Sequence, residues 1–158
     1  MSEFPPCTHA DQPPTRRSCT TFGFTSIAEV HKLLNTSNLA GFVATARPEE
    51  AKRFYESTLG LSLVEDSPYA LVFESNGTTV RVQKLQAMSP AAHTILGWEV
   101  NDMAAMVRRL SSRGVKFERY DGLPQNEAGI WRTPDGSSVA WFRDPDGNTL
   151  SLTERTSE

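Results

Sequence analysis

Residues 76–83, "NGTTVRVQ", can be laid over residues 146–153, "DGNTLSLT", without a gap, so that a glycine, a threonine and two apolar positions coincide. An internal repeat of this kind means that one supersecondary unit occurs twice, each copy too small to bury its apolar face alone. The sequence around each copy runs through the same patterns. "NLAGFVATA" is an apolar run of strand length, and "RPEEAKRFYESTLG" follows as a helix with Pro48 in its first turn, Glu49 and Glu50 at its positive end and Gly60 past its stop. "LSLVEDS", "YALVFES" and "TTVRVQK" then read as strands, the last two joined by an Asn76-Gly77 turn. The second copy opens with "TILGWEV" and a helix across "NDMAAMVRRLSSRG", where Met103, Met106, Val107 and Leu110 have helical spacing and Gly114 is the stop. "VKFERY", "GIWRTP", "SSVAWFR" and "NTLSLTE" read as its further strands. The predicted fold is α+β: two tandem βαβββ modules, residues 38–92 and 93–155, making one domain over 38–155.

A chain of 158 residues with 38% hydrophobic and 22% charged content has the composition of a soluble globular protein. A formal net charge of -3 gives no electrostatic reason to expect nucleic acid. No apolar run approaches the roughly 20 residues needed to cross a bilayer, and no basic region followed by an apolar stretch marks secretion, so the expected location is cytoplasmic and no membrane partner is expected. Residues 1–37 are expected to be a disordered tail rich in Pro, Ser and Thr, ending in a short helix within "FTSIAEVHKLLNTSN"; a native start at Val30 is an alternative. Both cysteines, Cys7 and Cys19, lie in that tail, and their spacing with His9 matches no zinc template.

With "FYESTLGL" closing the first helix and "FRDPDGNTL" in the last hairpin, the two modules resemble the vicinal oxygen chelate superfamily, the group of glyoxalase, bleomycin-resistance and extradiol-dioxygenase proteins. The resemblance implies mixed sheets that curl around a shared groove, and a homodimer. It also implies four symmetry-related metal-ligand places, which fall here on Ala40, Arg81, Ile95 and Ser151. Two of these side chains have no donor atom, one is a cation and one is a neutral hydroxyl, so no metal and no other cofactor is expected.

If Ser151 faces the groove, strand alternation sends Thr149 and Thr153 there, and Thr79, Arg81 and Gln83 in the first module. The same parity gives Ala40, Phe42 and Ala44, then Ile95, Gly97 and Glu99, and places Val139 and Trp141 in the groove with Phe142 in the core. Trp131 follows a loop that could close over the groove. The candidate ligand-binding residues are Phe42, Arg81, Gln83, Glu99, Trp131, Trp141 and Ser151. Arg81 either holds a ligand carboxylate or phosphate through its fork or pairs with Glu99. Tyr55 and Trp98 read as packing, and Asp144 and Asp146 as caps of backbone N–H groups in a turn.

Two functions fit this reading, beside a third in which the chain is a degenerate module kept as a dimerising scaffold. One is a metal-independent small-molecule binding protein that sequesters an aromatic or amphiphilic ligand. The other is a lyase, isomerase or dioxygenase-type enzyme that uses either an unrecognised metal site or Glu99 as catalytic base, the latter needing a carboxyl raised toward neutrality by burial. Protein purified without chelators should carry well under one equivalent of divalent metal by elemental analysis; a stoichiometric ion would overturn the assignment of the four ligand places.

Overall fold

A computed structural model describes residues 34–156. The described residues from 38 onward form one compact unit. The helix expected within residues 24–38 and the tail before it lie almost wholly outside the described residues; residues 34–37 form a turn.

The repeat is realised as two sheets of identical strand order. The first module consists of β1 (Ala40–Thr45), α1 (Pro48–Arg53), β2 (Ser62–Asp66), β3 (Ala70–Ser75) and β4 (Thr78–Lys84), with its sheet in the order β1-β4-β3-β2. The second consists of β5 (Thr94–Glu99), α2 (Met103–Ser112), β6 (Ile130–Arg132), β7 (Ser138–Arg143) and β8 (Thr149–Glu154), in the order β5-β8-β7-β6. In each, the first strand runs parallel to the last, which is also paired antiparallel with the strand before it. β1 lies against β5, so the two sheets meet at their leading strands.

Alternation decides the faces. Val43 and Thr45 on β1, Val80 and Val82 on β4, Ala140 and Phe142 on β7 and Leu150 and Leu152 on β8 are buried. All of these except the polar Thr45 join Ala51 and Tyr55 of the first helical segment and Met103, Val107 and Leu110 of α2 in one core cluster. α2 starts where Asp102 accepts the Ala105 N–H at 2.8 Å, an N-cap that satisfies one of the orphan donors of the first turn. The Asn76-Gly77 hairpin has both residues at positive φ, 47° and 80°, the geometry that a two-residue turn between right-twisted strands requires.

The structure departs from the sequence expectations in three places. The first helix is α-helical only to Arg53; Phe54–Thr58 form a wider π-type turn, closed by Leu59 N–H donating to the Phe54 carbonyl at 2.9 Å. "VKFERY" contributes a single bridge, Phe117 to Phe142, in place of a strand. Finally, β5 is bulged: Thr94 pairs with Thr149 and Leu96 with Leu150, leaving Ile95 as the extra residue. The bulge breaks the alternation, and Ile95 packs against the core instead of continuing the groove row with Gly97 and Glu99.

The last hairpin is fastened to the first module at its tip. Asp144 is buried and accepts four hydrogen bonds: from Tyr55 Oη at 2.9 Å, from Asn148 Nδ2 at 2.8 Å, and from the backbone N–H groups of Asp146 and Asn148. Asn148 Nδ2 also donates to the Ala44 carbonyl at 2.9 Å. Asp146 accepts from Thr45 Oγ1 and from the Ala46 N–H, and Arg47 donates to the Pro145 carbonyl. Capping of backbone donors, expected of both aspartates, is therefore only part of their role, because each also bonds across to the first module.

Burial pushes the Asp144 carboxyl above its usual range despite the opposing bonds from Asn148, Tyr55 and Asp146. Burial, and then the Asp144 charge, raise the Tyr55 phenol so that it stays a donor. Asp144→Ala should lower the unfolding free energy by about 3 kcal/mol, since it strands several buried donors at once, as measured by urea denaturation. A folded-state pKa above the unfolded one means that folding takes up a proton between them, so the Asp144 contribution is full below the ordinary carboxylate range and falls as pH rises through the raised value. The stability advantage of the wild type over Asp144→Asn should accordingly shrink from pH 3.5 to neutrality; an advantage that grows would show the opposite shift.

Candidate functional site

The sheet faces turned away from the core carry the candidate residues in two groups. In the first module the register sets Phe42 beside Arg81, and Arg81 beside Val72, with Ala44, Gln83 and Ala70 in the next row. Phe42 is 56% exposed, and Arg81 and Gln83 are exposed. In the second module one row runs Gly97, Ser151, Trp141, and the adjacent row runs Glu99, Thr153, Val139, Trp131. Trp131 and Trp141 are thus diagonal neighbours on paired strands, within reach of each other for large side chains. Their rings stack with centroids 6.0 Å apart and planes at 24°. Tyr120 meets Trp141 edge-on at 5.6 Å and 82°. The result is a three-ring wall beside the Ser151 hydroxyl.

Ser151 is only 7% exposed because its neighbours crowd it. A Cβ added at Gly97 would lie 2.6 Å from Ser151 Oγ, so the absence of a side chain at 97 is what lets the hydroxyl occupy the floor between β5 and β8. The loop leading to Trp131, expected to be flexible, is held internally. The Gln125 side chain accepts from the Tyr120 N–H at 2.7 Å and donates to the carbonyls of Glu118 at 3.0 Å and Gly129 at 2.8 Å. Asn126 Oδ1 accepts from the N–H groups of Ala128 and Ile130. One glutamine therefore closes the loop on itself and sets Tyr120 against Trp141. Tyr120 and Gln125 were not recognised from the sequence: the tyrosine stood at the end of an expected strand, and a lone loop glutamine carries no pattern.

Glu99 stands at the end of β5 with its side chain 64% exposed and pairs with Arg155 at 2.7 Å. The alternative in which Arg81 and Glu99 pair with each other is corrected accordingly: Arg155 follows β8, the neighbour of β5, and so lies nearer. Arg81 makes no ion pair among the described residues. Trp98 packs as expected, stacked on Phe142 at 6.4 Å, with its Nε1–H donated to Ser75 Oγ at 3.0 Å.

The family-model comparison decides the lineage, matching residues 36–152 to the glyoxalase/bleomycin resistance protein/dioxygenase superfamily. The chain belongs to this superfamily. Among solved structures, it is similar to a superfamily member from Sphaerobacter thermophilus DSM 20745, with 25% identity and a TM-score of 0.60 over 75% of this chain and 96% of that one. It is similar to TnmS3, an antibiotic binding protein from Streptomyces sp. CB03234, with 25% identity and a TM-score of 0.57 over 75% and 95% of the two chains. It shares its fold with a lactoylglutathione lyase from Agrobacterium tumefaciens, at 19% identity and a TM-score of 0.56 over 75% and 93%. No curated protein sequence matches it.

A superfamily metal does not fit the residues present. Ala40, Arg81, Ile95 and Ser151 offer one neutral hydroxyl between them, and Ile95, half-buried, packs against the core. Among the described residues no group of three or more His, Cys, Asp or Glu side chains could hold an ion elsewhere. Gly97→Ala should lower stability by about 1–3 kcal/mol as the new methyl displaces the Ser151 hydroxyl; unchanged denaturation would show that the serine rotates away freely.

Proposed function

We propose that this member of the superfamily binds a small aromatic or amphiphilic molecule without a metal, seating it against Trp131 and Trp141. The observation that carries this reading is the stacked tryptophan pair on a sheet face turned away from the core, backed by Tyr120 and bordered by Ser151. Exposed or half-exposed aromatic rings in a fixed arrangement offer flat apolar area at little entropic cost, and an aromatic ligand adds to their stack. Arg81, exposed and without an ion-pair partner among the described residues, supplies a cation on the face of the other module for a ligand with an acidic group. The antibiotic-binding character of the similar Streptomyces protein supports a sequestering role.

The catalytic reading, with Glu99 as base, has less behind it. Its carboxylate is mostly in solvent and engaged by Arg155, whereas a general base needs a lone pair aimed at a substrate proton within a shielded site. The residues at the superfamily's metal places supply no Lewis acid in its stead.

The test is a thermal-shift screen of planar aromatic compounds followed by titration of each hit against variants. Trp141→Ala should weaken binding by about 1–3 kcal/mol, and Glu99→Gln should leave affinity unchanged. Hits whose affinity ignores Trp141, or that are turned over by the wild type and not by Glu99→Gln, would overturn the proposal.

A further inference from the structure

On the other side of β5 from the tryptophan pair, a cleft opens to solvent beside the core. A cavity of ≈ 210 Å³ lies between the end of the first helical segment, α2 and the inward faces of β7 and β8. Its walls are mainly Leu59 and Leu61 from the first module and Met106, Leu110, Phe142 and Leu152 from the second, with Trp98 alongside. A space of about 150 Å³ with Leu, Ile and Phe walls stays dry and is large enough to bind benzene. This cleft is larger and opens to solvent, and its lining is mainly apolar, with Ser75 and Glu99 among it.

One polar group gives the cavity a chemical direction. Ser75 Oγ lines it and accepts the Trp98 Nε1–H at 3.0 Å, while the serine's own hydroxyl hydrogen has no acceptor among the hydrogen bonds of the described residues. A hydroxyl that accepts one bond still has a donor to give. Glu99 and Val100 lie at the cavity at the end of β5, where the Glu99 carboxylate is engaged by Arg155. No cation lines the space, so an acidic ligand would enter without a counter-charge.

We infer that this cavity is a second binding site, distinct from the tryptophan wall, for a compact uncharged molecule with an apolar body and one acceptor oxygen that receives the Ser75 hydroxyl hydrogen. Aryl ketones and aryl ethers of one ring have this chemistry. The body fills the space between Leu61, Met106 and Phe142, and the oxygen turns toward Ser75. The site does not depend on the function proposed for the opposite face, since the two share no aromatic side chain.

The experiment uses the full chain with methyl-labelled Leu and Met, titrated with acetophenone and with ethylbenzene, which has nearly the same shape but no oxygen. Both probes should shift the methyl signals of Leu61, Met106 and Leu110, and acetophenone should bind at least as tightly as ethylbenzene. Without a donor in the cavity the ketone would bind roughly tenfold more weakly, because its carbonyl would leave water unpaired. Met106→Phe, or Leu61→Phe should that variant not fold, should abolish both titrations by filling the space, whereas Trp141→Ala should leave both unchanged. Absence of methyl shifts with either probe, or shifts that survive both filling variants, would overturn the site. A tenfold weaker ketone would overturn the role of Ser75. Shifts that appear with protein concentration alone, alongside dimer formation in sedimentation, would show that a second copy of the chain covers the cavity instead.

Discussion

Asp144 places a carboxyl where charge is expensive, and the surrounding bonds offset part of that cost. Its two oxygens collect donors from Tyr55 in the first module, from Asn148, and from the backbone of the turn that it starts. Each module alone would leave one sheet face and its leading edge uncovered. Joined at this carboxylate and along β1 and β5, they share a core that neither could close. The π-type turn at Phe54–Thr58 belongs to the same arrangement. It carries Tyr55, whose ring packs beside Phe73 while its hydroxyl reaches Asp144. A regular helix would turn each later residue by about 100°, and the wider turn changes that phase.

The two modules repeat the same strand order but do not present equivalent faces. In the first, the face away from the core carries Phe42, Arg81 and Gln83, well exposed and with a charge; in the second it is walled by rings and floored by a nearly buried serine. The bulge at Ile95 is one physical source of the difference, because a single extra residue reverses which side chain looks outward at the start of β5. A symmetric set of metal donors needs symmetric positions, and here the second module has withdrawn one of them.

How much of this was legible in the sequence differs by element. The repeat, both helices and the main strands follow from period-2 and period-3.6 patterns with glycine and proline punctuation, and the turn at 144–148 was readable because its residue types each have a backbone reason to be there. The stretch 115–120 was not, because alternation over six residues cannot distinguish a paired strand from an extended segment that touches its neighbour once, at Phe117. The bulge was invisible for a related reason: parity counts residues, and nothing in "TILGW" marks which residue is unpaired. The stacking of Trp131 on Trp141 follows from strand register, whereas the ring of Tyr120 is placed by the Gln125 side chain over a distance that only the folded loop defines.

The strand order has an implication for how the chain must come together. β8 is made last in its module yet lies inside the sheet, with β5 on one side and β7 on the other. Until residues 149–154 have been synthesised, β5 has no neighbour within its own sheet and β7 has one open edge. Long-range pairing of this kind is slow and leaves unpaired strand edges exposed while it waits. Loss of a handful of residues from that segment would therefore remove an interior strand, where trimming of the same length at β6 would only shorten a border.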